Sequence, residues 1–398
     1  MLRTISIDGF KSILSLRLEL GRVNCLIGAN GVGKSNILEA IGVLGAAANG
    51  TVDDEALLRR GVRPGLPRLY KSSFTSARTP AQIGLEAADS RESDAAVFRV
   101  NLLNPLDNPT PAWHFKTEYL FDGLTEKVSD GVRGKSDNPT RNRSRGLSAL
   151  NLATLPPDNR AAILMLVLQR YSIYTPSTAT LRGMVGDPQS RDPVGLSGGR
   201  LAEAFSDFKK AQLDGDEALL DDVLELVDWV KSVDTTTAVS TLLSPSVSRS
   251  TNVLKFTDRF MKEDRNTLTA YDASEGALYV LFAAILCLSK LSPPFFAIDN
   301  LDQALNPILA TALTRKVCSW IGRAGTTRQM LFTTHNPAVL DGLDLADDET
   351  RLFAVDRDSD GQTVVRRVLL TPELLELNKE YPLSRLWLMG SLGAVPNV

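Results

Sequence analysis

Gly28-Ala29-Asn30-Gly31-Val32-Gly33-Lys34-Ser35 fits the phosphate-loop pattern Gly-x4-Gly-Lys-Ser/Thr at every fixed position. The pattern carries weight only with a hydrophobic strand before it and an amphipathic helix after it. Val23, Cys25, Leu26 and Ile27 supply the apolar run, and Ile37, Leu38, Ile41 and Leu44 recur at helical spacing downstream. The glycines let the backbone fold around a polyphosphate with N–H groups pointing inward, and the helix starting near Lys34 adds the positive end of its dipole. In such a loop the lysine reaches the β- and γ-phosphates and the serine ligates Mg²⁺, which assigns those roles to Lys34 and Ser35. A glycine-rich turn with no ligand is the alternative, and it rarely arises between a strand and a helix in this order.

The chain has 398 residues, 43% hydrophobic and 23% charged, enough for two or three domain-sized units with a large core. A formal net charge of −3 argues against a uniformly basic nucleic-acid binder and leaves room for a local patch. Cys25, Cys287 and Cys318 are far apart in apolar patterns without metal-like spacing, and read as buried thiols of a reducing cytoplasm. The longest apolar run, Ala277 to Leu288, is too short for a membrane span, and the N-terminus lacks a signal-peptide pattern, so a cytosolic protein is expected.

Leu2, Ile5 and Ile7 alternate imperfectly, Gly9-Phe10-Lys11-Ser12 makes a connection, and Leu14, Leu16, Leu18 and Leu20 alternate as a half-buried strand should. Phe10-Lys11-Ser12, one strand, and then Ile27 through the phosphate loop to Ser35-Asn36 resemble the opening of the ABC-type ATPases of the RecF, SMC and OLD group. The Asn-Gly-x-Gly-Lys-Ser-Asn variant is characteristic of that group. The resemblance therefore implies nucleotide contacts from Asn30, Gly31, Gly33, Lys34, Ser35 and Asn36.

Between about 49 and 130, three alternating stretches separated by Pro/Asn/Asp-rich turns predict an antiparallel β-subdomain over the nucleotide site: Ile83–Glu86, Val97–Leu102 and Trp113–Leu120. His114 has no second His or Cys nearby and reads as a packed or surface histidine, not a ligand. For the glutamine loop of ABC-type proteins the candidate is Gln82. Arg133, Lys135, Arg141, Arg143 and Arg145 sit among Gly, Ser, Asn and Pro, which reads as a solvated loop or, more sharply, a phosphate contact with nucleic acid.

From Arg160 to about Arg265 the pattern turns helical. Ala162, Ile163, Leu166 and Val167 make one expected face. Leu219, Leu220, Val223, Leu224, Leu226 and Val227 make another, around acidic Asp214, Asp216, Glu217, Asp221 and Asp222. Leu196-Ser197-Gly198-Gly199-Arg200 matches the Leu-Ser-Gly-Gly signature of ABC proteins. It lies about a hundred residues before the Walker B candidate, where the family spacing is about twenty to twenty-five, and its glycines equally suit a turn into a helix at 200–212.

Asp272-Ala273-Ser274-Glu275-Gly276 precedes an apolar helix over 277–290 and then Pro294-Phe295-Phe296-Ala297-Ile298-Asp299, which is the spacing that the resemblance requires. Ser274 and Gly276 at a helix start would grip the γ-phosphate of a nucleotide on a partner subunit. Asp299 ends a buried strand, as a Walker B aspartate holding Mg²⁺ does. Asp299-Asn300-Leu301-Asp302-Gln303-Ala304-Leu305-Asn306 resembles the Walker B and D-loop run Asp-Glu-x-Asp-x-Ala-Leu-Asp with one consequential departure. Asn300 stands where a glutamate usually polarises water, and an amide orients water without accepting its proton. Asn306 replaces the D-loop aspartate, and Thr333-Thr334-His335-Asn336-Pro337 resembles the switch-histidine motif, so Asn300, Asp302 and His335 are the catalytic candidates. Leu352–Val355 and Thr363–Val365 give closing strands, with Asp356–Asp360 as the turn between them.

The expected fold is α/β: an ABC-type P-loop ATPase head with an antiparallel β-subdomain and an inserted helical subdomain. Its expected parts are 1–130, with the phosphate loop, 131–265, a basic loop and helical lid or arm, and 266–398, with signature, Walker B, D-loop and switch histidine. The resemblance implies ATP and Mg²⁺ as cofactors and a homodimer or higher oligomer with shared sites, away from membranes. No segment sustains heptads, so long SMC arms are not expected. The expected role is a stand-alone ATPase, like those of anti-phage systems, that senses or remodels nucleic acid or restrains a nuclease or toxin effector. A RecF-like DNA-repair ATPase and an ATP-locked scaffold with little hydrolysis are the alternatives.

Overall fold

A computed structural model of the chain describes residues 1–104, 113–131, 142–213, 218–237, 252–323 and 327–394. Strands β1 (Thr4–Phe10) and β2 (Ile13–Glu19) form a tight hairpin in which Phe10 faces Ile13 and Lys11 takes a left-handed φ of 47°. On β2, Leu16 and Leu18 are buried while Ser15, Arg17 and Glu19 are exposed, the period-two pattern of a sheet with one wet face. Strand β3 (Val23–Ile27) is buried along its whole length and runs into the phosphate loop. Strands β4 (Ile83–Ala88), β5 (Val97–Leu103), β6 (His114–Phe121) and β7 (Glu126–Asp130) complete an antiparallel sheet in the order β2-β1-β4-β5-β6-β7.

The second sheet draws on both ends of the chain. Strand β8 (Ile173–Tyr174) lies at its edge, and a separate three-stranded sheet follows in sequence from β9 (Val230–Thr236), β10 (Val253–Asp258) and β11 (Thr267–Thr269). Strands β12 (Phe295–Ile298), β13 (Gln329–Thr333), β14 (Thr350–Arg357) and β15 (Thr363–Val368) then give the order β15-β14-β3-β13-β12-β8. All neighbours in it are parallel except β14 and β15.

Successive side chains of a strand point to opposite faces, so each central strand feeds two cores. Cys25, Phe296, Ile298, Met330, Phe332, Leu352 and Ala354 pack on one face with the helix Glu275–Leu288, which is apolar from Ala277 onward. Leu26, Phe295, Ala297, Leu331, Phe353 and Val355 pack on the other with the helix Lys34–Ala48, which the antiparallel sheet covers from its far side. The phosphate-loop helix is thus sandwiched between two sheets, and that burial fixes the loop that starts it.

Three expectations about the middle of the chain change. The helix Arg160–Arg170 buries Ala161, Leu164, Met165 and Leu168, while Ile163 and Leu166, expected on its inner face, are each 46% exposed. The face is chosen by the neighbour: the helix lies on the phosphate-loop helix, where a Cβ on Gly45 would come within 2.6 Å of the Leu168 carbonyl. This helix and β8 pack into the head although they fall within the stretch 131–265 that was expected to be inserted. Val230–Thr236 and Val253–Asp258, within the stretch expected to be helical to about Arg265, are strands of a sheet, because Val230, Val233, Leu254 and Phe256 bury one face of extended backbone. Helices at Leu201–Leu213 and Ala218–Leu224 do recur in this region, and Asp222 pairs with Lys316 at 2.9 Å and Arg323 at 3.0 Å.

Arg133, Lys135, Arg141, Asp214, Asp216 and Glu217 lie outside the described residues. Arg143 Nη1 donates to the carbonyls of Phe115 and Lys116 at 3.2 and 3.1 Å, which ties its guanidinium to the start of β6. His114 is exposed at the head of that strand. All three cysteines are free, and burial pushes the thiols of Cys287 and Cys318 up to about 12. No described helix is long and apolar enough to cross a membrane.

Candidate functional site

The phosphate loop bends as its glycines permit. Gly28, Gly31 and Gly33 have φ of 150°, 79° and 111°, values that side chains with a Cβ rarely adopt. Gly28 and Gly33 are also pressed from behind: a Cβ would lie 2.1 Å from the Val355 carbonyl and 2.2 Å from Thr363 Oγ1, respectively. Behind the loop, Thr363 Oγ1 donates to the Val32 carbonyl and meets Ser12 Oγ, each at 2.7 Å. Asn36 donates to Ser12 Oγ at 2.7 Å, so its amide braces the loop as well as bordering the cavity.

That cavity, of about 530 Å³, is lined by Asn30, Gly31, Gly33, Lys34, Ser35, Asn36, Arg63, Asn300 and His335. Lys34 Nζ donates to the carbonyls of Gly28 and Ala29 at 2.7 and 2.9 Å and stands 3.5 Å from His335 Nδ1. Burial lowers its ammonium to about 8, against the pull of Asp299 and Asp302. Burial, with Lys34 adding to it, also holds His335 below its ordinary value, so the ring is neutral at pH 7.

Asp299 is gripped at both oxygens. Ser35 Oγ donates to Oδ2 at 2.9 Å and Thr333 Oγ1 donates to Oδ1 at 2.6 Å. The Asn300 N–H donates to the same Thr333 hydroxyl at 2.8 Å, so the end of β13 sets the backbone that follows β12. A hydroxyl and a carboxylate side by side are hard oxygen donors of the kind Mg²⁺ takes, so Ser35 and Asp299 fit that ion. Asn300 has a φ of 61°, a left-handed conformation that Asn tolerates better than Glu. Asp302 does not line the cavity, and its Oδ1 is buried without a hydrogen-bond partner among the described residues.

Ser274, Glu275 and Gly276 border a different, open groove of about 1550 Å³, together with Trp229, Asn306 and Ile308. Ser274 Oγ accepts the Ala277 N–H at 3.4 Å, and Asn306 Oδ1 accepts that of Leu309 at 2.9 Å, so both residues cap helices facing the groove. One chain therefore keeps the phosphate-loop group and the Ser274–Gly276 group in separate depressions.

The look-alike Leu196–Arg200 is closed from within. Asp187 Oδ2 accepts the N–H groups of Ser197 and Gly199, each at 3.0 Å, which leaves neither of those backbone donors for an outside phosphate. Gln82 precedes β4 with its Oε1 buried and without a hydrogen-bond partner among the described residues, and it does not line the cavity. Arg63 is a further residue of this wall, absent from the sequence expectations. It lies in no motif, and only the folding of its segment against Glu39 on the phosphate-loop helix brings it to the cavity wall, with Nε 2.5 Å from Oε1.

The family model described as "AAA domain, putative AbiEii toxin, Type IV TA system" matches residues 23–109 and 181–341, more than half of the chain. The DNA replication and repair protein RecF of Paenarthrobacter aurescens (strain TC1) is 34% identical over 107 residues, 26% of this chain and 25% of that protein. The match thus spans about a quarter of the curated relative's length. Among solved structures, an SmcHead bound to the C-winged helix domain of ScpA aligns with a TM-score of 0.55 at 15% identity, over 94% of this chain and 99% of that one. An Smc head domain with an extended coiled coil, bound to the C-terminal domain of ScpA derived from Pyrococcus furiosus, gives 0.52 at 14%, over 95% and 98%. At these identities the likeness shows the fold.

Proposed function

The chain belongs to this AAA-domain family and is an ABC-type P-loop ATPase head of the RecF and SMC kind, and from that premise we propose that ATP closes two copies face to face. The Ser35–Asp299–Thr333 hydrogen-bond chain beside Lys34 is the observation that carries the reading. Lys34 and the N–H groups of Asn30, Gly31 and Gly33 hold the polyphosphate, while Ser35 and Asp299 hold Mg²⁺, which supplies positive charge to the phosphate oxygens. Ser274 and Gly276, which border a groove separate from their own phosphate loop, cover the γ-phosphate on a second copy. Neutral His335 accepts a hydrogen bond from the attacking water, and Asn300 orients that water. With no carboxylate in the Asn300 position turnover is slow, so the bound state is long-lived, as suits a sensor or regulator of a separate nuclease or toxin in defence.

The first experiment is single-turnover ATP hydrolysis by the wild type, Lys34→Ala and Asn300→Glu, with mass measured with and without ATP and Mg²⁺. Slow wild-type turnover and ATP-dependent pairing, both lost in Lys34→Ala, are expected. A monomer under all conditions overturns the shared site. Asn300→Glu is expected to gain at most a modest rate, because a left-handed backbone costs a glutamate about 1–2 kcal/mol. Assembly without any turnover in the wild type would make the protein an ATP-locked scaffold. The stretch similar to RecF supports a second reading, direct DNA binding, whose mark is an affinity that falls steeply with salt.

A further inference from the structure

Glu39 is a buried carboxylate, 2% exposed, little more than one helical turn beyond Lys34 on the phosphate-loop helix. Its two oxygens serve two cations from different parts of the chain. Oε2 takes Lys11 of the β1–β2 turn, and Oε1 takes Arg63 Nε at 2.5 Å. Lys11 is boxed in, with Nζ 5.6 Å from the Phe10 ring centroid and 5.0 Å from that of Tyr70. The Tyr70 hydroxyl in turn donates to the Arg63 carbonyl at 2.7 Å.

Arg63 differs from Lys11 in that its side chain is 68% exposed. An exposed arginine held by a buried carboxylate adds little as a stabilising pair, since solvent screens it and ordering the chain costs entropy. What the contact does supply is direction. A guanidinium is a planar fork with five N–H donors. Spending Nε on Glu39 leaves both terminal nitrogens, and among the described residues they take no partner. Arg63 lines the cavity that also holds Asn300 and His335. A planar fork with one edge anchored and the other open suits bidentate contact with a phosphate.

We propose that Glu39 is a positioning residue, whose carboxylate aims the open edge of Arg63 at the terminal phosphate of a nucleotide on the phosphate loop and so makes the site prefer triphosphate to diphosphate. The proposal rests on the nucleotide reading above and adds to it the source of discrimination. Because Glu39 stands on the helix that begins at Lys34, Arg63 is set against the same rigid element that sets the phosphates. Lys11 occupies the other oxygen, so the carboxylate is held between two cations and cannot swing away from Arg63.

The test is equilibrium binding of ATPγS and of ADP, each with Mg²⁺, to the full chain. Glu39→Gln and Arg63→Ala are each expected to lose about tenfold in the preference for triphosphate while ADP affinity stays within about twofold, and the double variant to lose no more than either single one. Equal weakening of both nucleotides by Glu39→Gln, or losses that multiply in the double variant, would overturn the proposal. Glu39→Asp keeps the buried charge and withdraws it by one methylene. It is expected to melt near the wild type yet lose part of the preference, and an unchanged preference with this variant overturns the proposal even where Glu39→Gln fails to fold. Lys34→Ala separates the two layers. If it binds both nucleotides as the wild type does, the phosphate-loop reading falls and the proposal with it. If binding is lost there while Glu39→Gln and Glu39→Asp discriminate normally, only the role of Glu39 falls.

Discussion

Two turns in this molecule place a serine and a glycine at the start of a helix, and their backbone N–H groups end up with opposite availability. At Leu196–Arg200 the donors of Ser197 and Gly199 are taken by Asp187, and a Cβ on Gly195 would lie 2.2 Å from that carboxylate. At Ser274–Gly276 the first-turn N–H groups of Glu275 and Gly276 have no partner in their own helix and border an open groove. The better match to the signature word is the one whose serine and second glycine have spent their backbone N–H groups. Whether backbone donors are already satisfied from within the chain separates the two, and no motif records it.

If the open turn completes a site on a second copy, the largest effect comes from mixing defects. Lys34→Ala and Ser274→Arg are each expected to cut ATP turnover by at least about a hundredfold, the first by removing a cation at the phosphates and the second by placing a bulky side chain where the helix start must approach them. An equimolar mixture is expected to regain roughly a quarter of the wild-type rate, because half of random pairs rebuild one of two sites. A mixture as dead as its parts breaks the comparison, because the Ser274 groove then has no role in trans.

The next effect belongs to the phosphate loop. Lys34 sits near 8 in the free protein, and a bound polyphosphate favours its charged form, so nucleotide binding takes up a proton around that pH. Affinity is expected to be full below pH 7 and to fall about tenfold between pH 7 and 9, as the protonated fraction does. Calorimetry in buffers of different ionisation enthalpy reads the proton directly, and an affinity that does not vary over this range refutes the assignment.

The closed turn is expected to respond in stability only. Asp187→Ala orphans three backbone donors, those of Gln189, Ser197 and Gly199, and is expected to cost about 1–3 kcal/mol in denaturant unfolding, with turnover within about twofold of the wild type. The smallest effect is the sharpest contrast. Ser197→Ala is expected to leave turnover unchanged where Ser274→Ala lowers it about tenfold or more, and parity between the two would return the signature role to Leu196–Arg200.

Much of the head could be read early because its information is local. Gly28, Gly31 and Gly33 each sit at a positive φ, and the alternation of Leu16 and Leu18 or of Phe98 and Val100 matches the buried faces of β2 and β5. The helix start at Ser274 follows from its place just before an apolar run. The middle of the chain was harder because its patterns fit more than one partner. On Arg160–Arg170 either of two overlapping stripes could have been the inner one, and the position of the phosphate-loop helix chose Leu164 and Leu168 over Ile163 and Leu166.

The sequence by itself determined the phosphate loop, the strand that enters it, the order of motifs after it and the ATPase family they point to, because each depends on backbone preferences and spacings within a few residues. Tertiary structure alone decided that Asp299 is gripped by Ser35 and Thr333, that Asp187 fills the nearer Ser–Gly turn, and that Glu39 gathers Lys11 and Arg63 at the cavity. Those contacts join residues tens to hundreds of positions apart or divide identical donors between competing acceptors, and a hydrogen bond already made inside the fold leaves no trace in the order of residues.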